Sequence, residues 1–317
     1  MKLDNKNINQ FVKFQNSKKK LLTPGPGSLL VENLIGIEPS FGRGDFKYDK
    51  VETKVLNILK KISGHKKIIR LQGSASLALE VMILNFLKGN VLVVKTGVYS
   101  DRIYEMCIFA KKEFKNIKKI EYVDWKKIDS YKGKANWVLA CYVETSLGLK
   151  LPIKKLYNLK KRLRSRLALD ATASIGLEKN HNYADVIGYS SCKGLFGLTG
   201  ACFVAYKLNL KPKSTDNFYF NLETQKNKMT TGPYHAIASL YGVIHIHDSL
   251  RQRVINSKNH VLEHFSSIVR KSNQPLLCTY LEGQVITNDN NVVLYSPRSE
   301  LSGSVICHFG EIHYDEI

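Results

Sequence analysis

The chain is predicted to be an α/β protein built on a mostly parallel sheet with helices on both faces. Three observations predict this. Short, nearly uninterrupted apolar runs recur along the 317 residues, helical patterns separate most of them, and chemistry-bearing residues stand directly after two of the runs. In parallel sheets that is where ligands collect, outside the carboxyl ends of the strands. At about 150 residues per domain the length fits one large domain and a smaller one.

In chain order, residues 1–20 are rich in Lys and Asn and end in Lys18-Lys19-Lys20, which predicts a mobile N-terminal arm or a short surface helix. Order is expected from Leu21. Val51, Val55, Leu56, Leu59 and Ile62 have the three-and-four spacing of an amphipathic helix, and the more apolar Ser76 to Leu87 predicts a buried one. Val91 to Val94, Trp137 to Val143, Leu167 to Leu169, Val186 to Tyr189 and Cys202 to Tyr206 suit buried parallel strands. A helix-like stretch, Ala236 to His247, leads toward the C-terminal part. The boundary is placed near residue 250, giving a large domain over 21–250 and a shortened small domain over 251–317.

A formal charge of +21 ordinarily points to polyanions, because clustered Lys and Arg attract phosphate backbones and anionic surfaces. Here 38 of the 48 basic residues are Lys, and they are spread along the whole chain, whereas bidentate phosphate readers favour Arg. Neither a nucleic-acid nor a membrane partner is expected. No apolar run reaches the roughly 18 residues of a membrane span, and the polar start lacks a signal-peptide core, so a cytoplasmic protein is expected. The six cysteines include no C-x-x-C pair, which points to reduced thiols and no metal. His245 and His247, beside Asp248, are two apart, a spacing that does not put ligands on one helix face, so a structural role is expected. The tripeptide Arg43-Gly44-Asp45 is taken as chance.

Three segments carry chemistry. Leu71-Gln72-Gly73-Ser74-Ala75-Ser76 leads straight into the buried helix, a form in which first-turn amides and the hydroxyls of Ser74 and Ser76 can hold a phosphate. Alone, such a loop is as often a tight turn with a cap. Leu167-Ala168-Leu169-Asp170 ends a strand in a carboxylate, which by itself could cap a helix. Asp185 to Ser190 runs into Ser191-Cys192-Lys193-Gly194, so a lysine also follows a strand. A phosphate loop, an acid and an amine on one sheet edge are what pyridoxal phosphate requires.

With these residues in view, the chain resembles the class V pyridoxal-phosphate-dependent aminotransferases, and most of all the branch that uses 2-aminoethylphosphonate and pyruvate. The resemblance rests on Leu22-Thr23-Pro24-Gly25-Pro26, Leu71 to Ser76 with Glu80, Gly97-Val98-Tyr99 with Arg102, Glu144-Thr145-Ser146-Leu147-Gly148, Asp170-Ala171, Ser190 to Gly200 and Thr231-Gly232-Pro233. They occur in family order over about residues 21–245. The resemblance implies the fold type I architecture, with an aspartate-aminotransferase-like large domain and an abbreviated C-terminal α+β domain. It further implies that Lys193 is the Schiff-base lysine and moves the proton, and that Asp170 pairs with the pyridine nitrogen. Tyr99 would stack on the ring, Thr145 would touch its phenolic oxygen side, and Gly73, Ser74, Ala75 and Ser190 would bind the phosphate. Thr231 would reach the phosphate of a second subunit, since similar enzymes are homodimers with shared sites. Gly25 and Arg298 are the candidate substrate contacts.

Departures from the family pattern bear on function. Cys192 stands where an amide is usual, and a thiol is a weaker phosphate donor. Tyr142 replaces a frequent His. The family's late carboxylate-binding arginine would fall near Ser304 or Val305, where none is present, which makes Arg298 the candidate replacement. The implied activity is amino transfer between 2-aminoethylphosphonate and pyruvate, or between alanine and phosphonoacetaldehyde in reverse. The alternatives are transamination of the alanine–glyoxylate or serine–pyruvate type, and a non-catalytic relative acting as a binding module.

Overall fold

The computed structural model describes residues 5–37, 42–270, 272–296 and 302–308. The segment expected as an arm or surface helix is helix α1 (Asn5–Asn16), docked through Ile8 and Val12, which are buried on one stripe. Strand β1 (Lys20–Leu22) and helices α2 (Val31–Ile35) and α3 (Phe46–Ser63) follow. Helix α3 starts five residues before the apolar pattern does, because Asp45 caps it by accepting from the amides of Lys47 and Tyr48, 2.8 and 3.3 Å away. The Arg43-Gly44-Asp45 run is therefore a helix start.

The large sheet is laid down by β2 (Lys67–Gln72), α4 (Ala75–Phe86), β3 (Gly89–Lys95), α5 (Val98–Phe114), β4 (Ile117–Asp124) and β5 (Trp137–Cys141). A two-residue ladder of β6 (Val143–Glu144) and β7 (Leu149–Lys150) leads to α6 (Ile153–Arg162), β8 (Arg166–Asp170), β9 (Val186–Ser190) and β10 (Ala201–Tyr206). The strand order is β2-β10-β9-β8-β5-β3-β4. The pairings β9–β8, β8–β5, β5–β3 and β3–β4 are parallel, while β10 runs antiparallel to both of its neighbours. Side chains alternate between two apolar layers: Leu92, Val94, Val138, Ala140, Leu167 and Leu169 face one, and Val91, Val93, Leu139, Ala168 and Val186 the other. Burial on both faces is why these strands read as continuous apolar runs.

After β10 come α7 (Leu222–Lys226), α8 (Tyr234–Ile244) and α9 (His247–His264), so the boundary placed near 250 falls inside a continuous helix. Beyond it, β11 (Cys278–Leu281), β12 (Val292–Leu294) and β13 (Ser304–Cys307) form two small ladders. β11 pairs antiparallel with β13, and β12 pairs in parallel with β1 from the far end of the chain. Among the described residues no helix is long and apolar enough to cross a membrane.

One buried ion pair ties the layers together. Arg70 on β2 donates to Glu52 on α3 at 2.7 Å with both side chains almost fully buried, and Lys228 reaches the other Glu52 oxygen at 2.8 Å. Removing one partner of a buried pair leaves a charge without its counterpart, so Arg70→Ala should lower unfolding free energy by about 3 kcal/mol, the low end of the usual ~3–5 because Lys228 remains. Denaturant titration checks this. The double variant Arg70→Met/Glu52→Leu should recover most of the loss, and a single-variant cost below ~1 kcal/mol would refute the account.

Candidate active site

The carboxyl ends of β8 and β9 set the site. The strands are neighbours in parallel register, with Asp170 opposite Gly188, so Asp170 and the Ser190–Gly194 segment emerge on the same edge. Behind them the two following loops lock backbone to backbone. A side chain on Gly194 would sit 2.2 Å from the Ile175 carbonyl, and one on Gly176, whose φ is +77°, would sit 2.3 Å from the Gly194 carbonyl. Only glycines allow that approach. His247 completes the support: its Nε2 donates to the Gly194 carbonyl at 2.8 Å, and burial pushes its pKa down. This residue has the structural role expected of it, placed directly behind Lys193.

Those loops open into a cavity of about 260 Å3 lined by Lys193, Asp170, Tyr99, Thr145, Ser190 and Cys192, and by Gly25, Ser74, Ala75 and Ser76. Lys193 Nζ lies 5.8 Å from the centroid of the Tyr99 ring. Asp170 is buried, and its Oδ1 accepts from the Thr172 amide at 2.9 Å. Burial raises its pKa, while Thr172, Lys193 and Arg102 pull it back. Among the described residues no cation forms an ion pair with it. Ser190 Oγ and Cys192 Sγ are 3.6 Å apart beside it.

Ser74 is the N-cap of α4 and makes no side-chain cap bond, so its hydroxyl and the amides of Ala75 and Ser76, with no intrahelical carbonyl to bond, stand at the cavity. Gly73 does not line the cavity; with φ +158° and its amide bonded to Gly200, it shapes the turn before the cap. Tyr99 is held from below by Glu144, whose buried carboxylate accepts from the amides of Tyr99 and Ser100 at 3.1 and 3.3 Å and from Thr96 Oγ1 at 3.1 Å. One carboxylate thus fixes the start of α5 against the turn that carries Thr145. Burial raises the Glu144 pKa, opposed by these donors.

Besides Gly73, the expected residue Thr231 is not brought into the cavity. Thr231 is exposed in the loop before α8, outside the lining. Arg298 lies outside the described residues. Tyr142 is turned to other work, its hydroxyl donating to the Lys179 carbonyl at 3.0 Å. Ser304 and Val305 lie in β13, and Ser304 Oγ accepts from the Val285 amide at 2.8 Å. Three residues given no role by sequence reasoning do approach. Arg102 and Thr172 line the cavity, and Tyr295, after β12, meets Tyr99 and Thr145, burial and then Tyr99 raising its pKa.

The donor set fits pyridoxal phosphate. A buried carboxylate without a cationic partner is costly, and a protonated ring nitrogen would supply that partner. Ser74, Ala75, Ser76 and Ser190 would hold the phosphate, Tyr99 offers a ring face, and Lys193 offers the amine.

No protein-family model matches the chain. Over 249 residues it is 26% identical to a 2-aminoethylphosphonate–pyruvate transaminase of Pseudomonas aeruginosa, covering 73% of this chain and 67% of that protein. Its fold is that of solved aminotransferases. An alanine–glyoxylate aminotransferase from Nostoc superposes with a TM-score of 0.79 at 16% identity, over 94% of this chain and 92% of that one. An aspartate aminotransferase of subgroup IV from Thermus thermophilus superposes with a TM-score of 0.76 at 20% identity, over 93% and 94%.

Proposed function

We propose that this homologue of the class V pyridoxal-phosphate-dependent aminotransferases moves an amino group between 2-aminoethylphosphonate and pyruvate, or from alanine to phosphonoacetaldehyde in reverse. The observation that carries the reading is one cavity in which Lys193 and buried Asp170 leave adjacent parallel strands beside the free N-terminus of α4. Bound there, pyridoxal phosphate supplies an aldehyde that exchanges for the amino group and a protonated ring nitrogen that draws electrons from the reacting carbon.

The chain's own residues do the rest. Lys193 would take the proton from the carbon that bears the substrate nitrogen and return it to the carbon on the other side of that nitrogen. Asp170 holds a proton on the ring nitrogen by facing it with a buried negative charge. The α4 amides with Ser74, Ser76 and Ser190 anchor the phosphate, and Tyr99, fixed by Glu144, sets the ring plane. His247 and the paired glycines keep the Lys193 backbone from drifting. A homodimer in the cytoplasm belongs to the same proposal: Thr231 would serve the partner's cavity, and the exposed Met229, two residues before it, is suited to a subunit contact.

The test is the visible spectrum of the protein with pyridoxal phosphate, before and after 2-aminoethylphosphonate, with alanine in a parallel cell. Loss of the long-wavelength band with the phosphonate amine is the expected result. The likeness to the Nostoc alanine–glyoxylate enzyme favours a second reading, in which only alanine discharges the band. A protein that takes up no cofactor would end both.

A further inference from the structure

Arg102 gives the cavity a second cation that the chemistry of Lys193 does not use. It lies three residues beyond Tyr99 on α5, is half-buried, and lines the same cavity as Lys193 and Asp170. Its guanidinium carbon is 5.1 Å from the Tyr99 ring centroid. Among the described residues it forms no ion pair. The contrast with other arginines is informative. Arg70 is committed to Glu52, Arg162 to the carbonyls of Ile128, Asp129 and Tyr131, Arg251 to that of Leu177, and Arg270 to those of Leu147 and Gly148.

A partly desolvated guanidinium with its planar fork unspent is a receptor for carboxylate or phosphonate oxygens. Stacking against Tyr99 restricts the side chain before any ligand arrives, which lowers the ordering cost of binding. Of the charged groups in the lining, Lys193 and Asp170 are taken up by the amine chemistry and the ring nitrogen, which leaves Arg102 for a substrate anion.

We propose that Arg102 receives the anionic end of the substrate, a phosphonate or a carboxylate, and thereby sets the preference of the site for aminophosphonates and amino acids over plain amines. This rests on the transaminase reading above.

The test is equilibrium binding of ethylphosphonate, which keeps the anionic end and lacks the amine, to cofactor-loaded wild type, Arg102→Gln and Arg102→Lys. The Kd should rise roughly 10- to 100-fold in Arg102→Gln and less in Arg102→Lys, with cofactor affinity unchanged. In turnover, KM for 2-aminoethylphosphonate should rise by the same factor while kcat holds within about threefold. No binding by wild type, or equal Kd values in wild type and Arg102→Gln, overturns the proposal. So does weakened cofactor affinity with unchanged ethylphosphonate binding, which would make Arg102 a phosphate ligand or a support for Tyr99. Failure of the transaminase reading shows separately, as a wild-type spectrum that no amine donor alters.

Discussion

Lys193→Ala should lower the rate of amino transfer by roughly 10²- to 10⁴-fold, the range that a positioned proton-transfer group contributes. The fold should survive, because the lysine side chain lines the cavity while its support comes from backbone: Gly194 against Ile175 and His247 on the Gly194 carbonyl. Circular dichroism and melting temperature close to wild type are therefore part of the expectation. Added methylamine should restore a measurable fraction of the rate, which a merely structural lysine would not allow. A variant retaining more than about a tenth of the wild-type rate would sink the proposed role.

Asp170→Asn should cost about 10²- to 10³-fold in kcat, the scale of removing a preorganised electrostatic partner. Its effect on stability should change sign with the cofactor. Burial raises the Asp170 pKa in the folded apo protein above its unfolded value near ~3.9, so the folded state binds more protons. Stability from this group is thus fully present below about pH 4 and is lost as pH rises through the folded pKa. The Asn variant escapes that loss, and its apo form should melt above wild type at pH 7 and level with it in acid. With pyridoxal phosphate added the order should reverse, because only the carboxylate gains a charged partner. Paired melting curves at pH 4 and pH 7, with and without cofactor, decide it; an apo variant that melts below wild type at both pH values would contradict the account.

How much of this was legible in the sequence depended on how local the signal is. Asp170 and Lys193 could be found because one ends an apolar strand and the other stands three residues past the end of the next, and the Ser74 cap because small residues precede a buried helix. β2 and β4 were not separately identified. The first carries buried Arg70 at its centre, acceptable only because Glu52, eighteen residues earlier, neutralises it, and the second is an edge strand interrupted by the exposed Lys118 and Lys119. The antiparallel direction of β10 is invisible in its apolar run, although the ten residues from 191 to 200 are fewer than the dozen or more that a parallel crossover needs. Arg102 and Tyr295 acquire meaning only in space, since 193 residues separate them and no periodicity links them.

The pairing of β1 with β12 bears on how the site comes into being. A strand at residues 20–22 is completed by one at 292–294, and the lining residue Gly25 follows the first. During synthesis at ~5–20 residues per second, β1 waits on the order of tens of seconds before its partner leaves the ribosome. Asp170 and Lys193 can already be seated in their sheet while the strand that leads to Gly25 still lacks its partner. The nascent chain thus acquires its chemical groups early and this tie between its two ends last, and a ribosome stalled before residue 292 would hold the large sheet with β1 unpaired.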